Sequence, residues 1–111
     1  MTELQLQSAC FQWAWNTYPQ LRRLLFAVPN GGSRDGREAM NLKASGVVAG
    51  IPDMPLYWKG QLYGFEFKVG SNDLSPDQRE VIRKWTEHGA ICYVIREKEV
   101  FQSLINKIVQ Q

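Results

Sequence analysis

Between Gly50 and Val69 the chain reads GIPDMPLYWKGQLYGFEFKV. Two apolar runs rich in aromatic residues flank the short turn signal Lys59–Gly60, and this pattern predicts a β-hairpin. If the hairpin is symmetric about that turn, Asp53 lies opposite Glu66. Directly opposed residues of an antiparallel pair share one face of the sheet, with Cβ atoms roughly 4.5–5.5 Å apart. The sequence therefore predicts two facing carboxylates at the open end of the hairpin.

The second strand of this hairpin separates polar from apolar side chains. Alternation places Glu66 and Lys68 on one face and a core-like set on the other: Tyr63, Phe65, Phe67 and Val69. Two opposed like charges destabilise a sheet unless something compensates them, and a divalent cation is the simplest compensation. The alternative is a Glu66–Lys68 ion pair on a solvated strand, with Asp53 in an ordinary turn.

Length and composition predict one domain over residues 1–111. The net charge of +2 indicates no global basic field, so any affinity for nucleic acid must come from local patches. Two cysteines, Cys10 and Cys92, are expected to be free thiols in a reducing cytoplasm, and with one histidine they exclude a Cys₂His₂ or Cys₄ zinc site. The chain shows no signal-peptide pattern and no apolar run near the ~20 residues that span a bilayer, so no membrane partner is expected.

Two helices and a strand are predicted before the hairpin. The helix over residues 3–18 carries two apolar ridges, so it is buried on two sides or covers a core and a partner subunit. Leu24–Val28 is typical of a short buried strand. A second helix is predicted over residues 34–45, and Gly46 ends it.

A helix, a strand and a last helix are predicted after the hairpin. Ser75, Pro76 and Gln78 form a capping-box pattern that begins a helix ending at about His88. The apolar run over residues 90–95 predicts a strand parallel to an earlier one, and residues 98–109 predict an amphipathic helix. The order α-β-α-β-β-α-β-α is typical of an α/β fold with a small mixed sheet flanked by helices.

Several of these segments carry a resemblance to a known family. Pro52–Asp53, followed by Glu66-Phe67-Lys68, resembles the Pro-Asp…(Asp/Glu)-x-Lys signature of the restriction-endonuclease-like nucleases. The wider pattern resembles one branch of them, the virus-type replication-repair nuclease (VRR-NUC) family. Its further segments are, in chain order, Glu3 with Gln7, Pro29–Gly32, Gly46–Gly50 and Ser75–Gln78. The resemblance implies a restriction-endonuclease-like core.

The resemblance also implies a function, that of a Mg²⁺- or Mn²⁺-dependent DNA endonuclease. Asp53, Glu66 and the backbone carbonyl of Phe67 would bind the metal, and Glu3 would complete its shell. A first-turn acid that complements the helix dipole is the alternative for Glu3. Lys68 would orient or deprotonate a water molecule, or stabilise charge, and the sequence leaves this choice open.

Gln78 has two possible roles at this stage. The resemblance implies that it positions water or a phosphate beside the metal, whereas helix capping alone would also explain a glutamine at this position. The sequence does not choose between these roles.

Contacts with DNA are expected before the hairpin. Asn30 and the glycines after it either bring backbone N–H groups to a phosphate or form a plain turn. Arg34, Arg37 and Lys43 either line a phosphate-binding groove or form a solvated face.

The partners implied by the resemblance are branched DNA and a second copy of the chain. Stand-alone members of the family resemble Holliday-junction resolvases, so a homodimer that cuts junctions or flaps in repair, replication or recombination is expected, in a bacterial or phage-infected cell. The alternative function is a non-catalytic nucleic-acid-binding module of the same fold, which would bind DNA equally well without metal. RNA as the substrate also stays open.

Overall fold

The computed structural model describes residues 1–29 and 36–111, and it confirms the α/β class with a small mixed sheet flanked by helices. The elements in these residues are α1 (Glu3–Thr17), a 3₁₀ turn (Pro19–Leu21), α2 (Gly36–Ala44), β1 (Met54–Trp58), β2 (Gln61–Phe67), α3 (Pro76–Glu87), β3 (Ile91–Ile95) and α4 (Lys98–Val109). The predicted positions of Asn30 and Arg34 lie outside the described residues.

The hairpin forms in the predicted register. β1 pairs antiparallel with β2, and Leu56 lies opposite Tyr63. Lys59 and Gly60 have φ angles of 48° and 80°, the left-handed pair that a two-residue type I′ turn requires. β3 pairs parallel with β2, as predicted, so β2 is the central strand of the three. Glu66 and Phe67 therefore lie on the strand with a neighbour on each side, and Lys68 directly follows it.

The core lies between the sheet and the two terminal helices. Its fully buried members include Phe65 and Phe67 of β2 and Phe101 of α4, whose rings meet at centroid distances of 5.0 and 5.9 Å. One ridge of α1 (Leu6, Cys10 and Ala14) is buried in this core. Cys10 and Cys92 are both free thiols, as predicted. Core packing fixes one side of β2 and leaves its other side to the candidate site.

The prediction of a short buried strand at Leu24–Val28 is wrong, because this segment is neither a regular strand nor buried along its length. The segment does run along β1, because the Phe26 N–H donates to the Pro55 carbonyl at 3.2 Å. Only Leu25 is buried, whereas Phe26 is 46% exposed. Leu24 and Val28 also bond to Tyr57 and Asp53, but Leu25 is the one residue of the segment that forms a bridge, so the segment is an irregular, largely exposed edge beside β1.

Helix α2 and the residues directly after it lie at the surface. Every residue of α2 is exposed or half-buried, and Gly46 ends the helix with a φ of 108°, as predicted. Val47 and Val48 after it are 51% and 54% exposed. None of the helices in residues 1–29 and 36–111 has the length and apolar character needed to cross a membrane.

Candidate active site

Two carboxylates and an ammonium group lie at the open end of the hairpin. Glu66 is only 2% exposed and Lys68 only 8% exposed, although both are charged residues of a sheet face. The alternative of an ion pair on a solvated strand is therefore wrong, since neither side chain is solvated. Charged side chains this deeply buried are costly unless they are paired or bind a metal.

The side chain of Asp53 bonds to the backbone of β2. Its Oδ2 atom accepts a hydrogen bond of 2.9 Å from the Phe67 N–H. β1 begins at Met54, so this bond extends the contact with β2 by one residue before the strand. Asp53 is thus fixed beside Glu66, as the hairpin register predicted.

The Glu66 carboxyl group has a strongly perturbed pKa. Burial raises the pKa from its ordinary value of 4.5 to about 8; the neighbouring Asp53 carboxylate adds to this increase, and the charge of Lys68 partly offsets it. One of the two Glu66 oxygens, Oε2, is buried without a hydrogen-bond partner. A perturbed carboxyl group with an unpaired oxygen is typical of a functional site and not of a stabilising ion pair.

The Gln78 side chain caps α3 and also contacts Glu66, while a role in positioning water or a phosphate stays a prediction. Its side-chain Oε1 accepts a bond of 2.8 Å from the Ser75 N–H, and its backbone N–H donates to the Ser75 Oγ at 3.2 Å, which completes the capping box of α3. Its Nε2 donates to the Glu66 Oε1 at 3.0 Å. Because the cap occupies the amide oxygen, the amide nitrogen is the end that faces Glu66.

A close backbone contact fixes α3 against the loop before Asp53. Gly50 has a φ of 89°, and a Cβ added there would lie 2.5 Å from the backbone carbon and oxygen of Asp77. Only glycine permits this approach. The sequence contained the glycine but gave no signal of its partner, so this contact was not predicted.

The other predicted site residues lie apart from the carboxylate pair. Glu3 accepts a bond of 3.1 Å from the Asn72 Nδ2, in the loop after β2, and the sequence gave no signal of that partner. No three His, Cys, Asp or Glu side chains in residues 1–29 and 36–111 form a group suited to a metal. A metal-binding role for Glu3 therefore stays a prediction, as do DNA contacts for Arg37 and Lys43, which lie exposed on α2.

The donor set at the hairpin end suits Mg²⁺ or Mn²⁺. Both ions prefer oxygen ligands, and Mg²⁺ sites in proteins commonly use one or two carboxylates and leave the other positions to water and substrate phosphate. Asp53 and Glu66 supply two carboxylates, and the unpaired Oε2 of Glu66 is the kind of oxygen such an ion would satisfy. The residues present thus fit a single hard cation.

Comparison with known proteins bears on the fold. No protein-family model and no curated protein matches the chain. Among solved structures, one described as a VRR_NUC domain protein superimposes with a TM-score of 0.82 over 99% of this chain and 89% of that one, at 22% sequence identity. The chain therefore has the VRR-NUC fold, a nuclease-type fold, as its motifs predicted.

Proposed function

We propose that this protein is a Mg²⁺- or Mn²⁺-dependent DNA endonuclease that hydrolyses phosphodiester bonds, with a preference for branched substrates. The observation that carries the proposal is the buried, unpaired Oε2 of Glu66 beside the Asp53 carboxylate. Two facing carboxylates in one buried site repel each other unless a cation or a shared proton joins them, and a cation would also bind the unpaired oxygen. The likeness of the fold to a VRR_NUC domain protein supports the proposal of a nuclease.

Each side chain has a role in the proposed reaction. Asp53 and Glu66 would hold the cation, which would supply a water molecule of lowered pKa and neutralise charge on the phosphate. Lys68 lies beside Glu66, where its ammonium group would oppose the charge that develops on a scissile phosphate. Gln78 keeps the Glu66 carboxylate in one orientation through its 3.0 Å hydrogen bond.

The test is cleavage of a labelled four-way junction and of a linear duplex with the same sequence, each with Mg²⁺, Mn²⁺ or EDTA. We expect metal-dependent cutting that falls at least about a hundredfold in Glu66→Gln and in Lys68→Met. Lys84→Met, in the exposed last turn of α3, is the matched control and should cut like wild type. Folded protein that binds the junction equally well in EDTA and never cuts it would instead support the non-catalytic binding module.

We also propose that the protein acts as a homodimer, through the outer ridge of α1. Leu4 is 69% exposed and Trp15 is 41% exposed, and the Trp15 ring lies 5.9 Å from that of Phe11. Exposed apolar side chains in one row favour burial against a partner. A two-fold dimer would present two sites to a branched substrate. Sedimentation at micromolar concentration should give a dimer for wild type and a monomer for Leu4→Lys; a wild-type monomer contradicts this proposal.

A further inference from the structure

The segment Leu24–Val28 extends the sheet beyond β1 and adds to the face that is turned away from the core, here called the outer face. The Leu25 backbone bridges to Leu56, and both side chains are buried in the core. Because side chains alternate along extended chains, Phe26 and Tyr57, the next residue on each side of this bridge, point to the outer face. Phe26 is 46% exposed and Tyr57 is 54% exposed. Two aromatic rings are therefore open to solvent on one face of the sheet.

The outer face also carries Glu66. Tyr57 lies opposite Leu62, so the two share a face, and alternation from Leu62 along β2 brings Glu66 to the same face. The Pro52 ring covers the middle of this face, because a Cβ added at Gly64 would lie 3.0 Å from that ring. The part beside β1 stays exposed at Tyr57. The exposed rings and the candidate active site thus belong to one continuous face.

The spacing between the rings and the Asp53 carboxylate matches that of bases along a DNA strand. The Val28 N–H donates to the Asp53 carbonyl at 2.9 Å, so the segment runs beside β1 as far as Asp53. Phe26 lies two residues before Val28, and Tyr57 lies four residues after Asp53. At about 3.3 Å per residue these separations are about 7 Å and about 13 Å. They correspond to roughly two and four base steps at the ~3.4 Å spacing of a stacked strand.

The chain around the two rings is locally basic. Residues 19–28 and 54–65 contain three cationic side chains and neither Asp nor Glu. Arg23 is exposed in the turn before Leu24, whose carbonyl accepts from the Tyr57 N–H at 3.0 Å. This surface fits an anionic partner that presents flat apolar groups, and a nucleic-acid strand with unpaired bases has both properties.

We propose that Phe26 and Tyr57 form a stacking site for unpaired bases of the DNA strand that enters the active site. This inference rests on the nuclease function proposed above and specifies its substrate, a branch with a single-stranded arm. The bases of a duplex are already paired and stacked, whereas an unpaired base can place its π-face on an aromatic ring. The scissile phosphate lies at Asp53 and Glu66, and the arm runs from there along β1.

Affinities for three matched DNA substrates test the stacking site. The first is a branched DNA with a single-stranded arm of about six nucleotides, close to the size of a small single-strand binding site. In the second, the arm lacks its bases but keeps its phosphates. In the third, a complementary strand makes the arm double-stranded. Fluorescence anisotropy in EDTA at one salt concentration measures binding without cutting and keeps the contribution of phosphate contacts constant.

Variants that remove a ring are compared with variants that keep one. Phe26→Ala and Tyr57→Ala should each bind the normal arm at least about fivefold more weakly than wild type, and the base-free arm as tightly as wild type does. Phe26→Tyr and Tyr57→Phe retain a ring and should bind like wild type. Val100→Ala is the matched control, because Val100 is 44% exposed on α4, which packs on the core side of the sheet through Phe101.

The outcomes keep this inference apart from the proposed function. Metal-dependent cutting by wild type, together with wild-type affinity of both alanine variants for the normal arm, overturns the stacking site and leaves the nuclease intact. An equal loss on the base-free or double-stranded arm also overturns it, because base stacking is then not what the substitution removed. A change from dimer to monomer in Phe26→Ala assigns the surface to a second copy and overturns it too. Wild type that cuts none of the substrates with Mg²⁺ or Mn²⁺ overturns the proposed function and, with it, this inference.

Discussion

Helices α2 and α3 both lie at the surface, and neither has a fully buried side chain. They differ in how their ends are fixed. The first turn of α3 bonds to Ser75 and Glu66 and touches Gly50, whereas Gly46 at the end of α2 has open space around it. Val81, Ile82 and Trp85 of α3 are half-buried, and the polar bonds and the backbone contact at its first turn add to this packing and fix that end of the helix at the site.

The largest change in stability is expected from ionisation of the Glu66 carboxyl group, which α3 contacts. With its pKa raised from 4.5 to about 8, Glu66 keeps its proton in the folded protein over a range where the unfolded chain has lost it. Metal-free stability should therefore be highest near about pH 4.5 and fall as the pH rises to about 8, by up to about 1.4 kcal/mol per pH unit and on the order of 4 kcal/mol in all.

Denaturant unfolding in EDTA at several pH values checks this slope. Glu66→Gln cannot ionise, so its stability should be nearly constant over the same range. A wild-type stability that rises with pH would contradict the sign, because a lowered pKa would then be required.

Two glycines with positive φ measure how firmly each helix is held. Gly50→Ala should lower the free energy of unfolding by roughly 3 kcal/mol, since a backbone clash with Asp77 adds to the conformational cost. Gly46→Ala, at a φ of 108° with nothing within 4 Å, should cost only about 1 kcal/mol. Chemical denaturation of the two variants gives both values, and equal losses would show that Gly50 does not hold α3.

Capping and site contact can be separated within α3. Ser75→Ala removes the hydroxyl cap at a cost of about 1 kcal/mol in stability but keeps the backbone N–H that holds Gln78, so cleavage should stay within about twofold of wild type. Gln78→Ala also removes the bond to Glu66 and should reduce cleavage at least about tenfold. Equal cleavage by the two variants would show that Gln78 acts only as a capping residue.

The smallest effects are expected on α2. Arg37→Ala or Lys43→Ala should change stability by less than about 0.5 kcal/mol, because both side chains are exposed. If these cations contact phosphates, each substitution should weaken DNA binding a few-fold and reduce the slope of log affinity against log salt by about 1. Fluorescence anisotropy at several salt concentrations measures the slope, and an unchanged slope assigns the two residues to a solvated face.

Local signals made the hairpin and the last three elements predictable from the sequence. Alternation and the Lys59–Gly60 turn determined the register, and through it the approach of Asp53 to Glu66. The capping-box spacing predicted the start of α3 and the cap made by Gln78. These features depend on residues within a few positions of one another, where spacing carries geometric information.

Long-range contacts could not be predicted in the same way. Nothing near Gly50 indicates Asp77, and nothing near Glu3 indicates Asn72. The apolar run at Leu24–Val28 suggested a buried strand, because hydrophobicity does not reveal that the segment lies at the edge of the sheet, where most of it is exposed. Such contacts arise from tertiary packing, which the spacing of apolar residues along the sequence does not indicate.

One oxygen of Asp53 accepts the hydrogen bond from the Phe67 N–H, so the same side chain serves the stability of the fold and the proposed activity. In Asp53→Asn, the amide oxygen can keep that bond while the amide nitrogen turns toward Glu66 and donates to it, which removes the repulsion between the carboxylates. Such a protein should be more stable and inert, as substitutions in a strained active site often are. It would also retain bound DNA uncut, and is therefore the variant with which to capture the natural substrate.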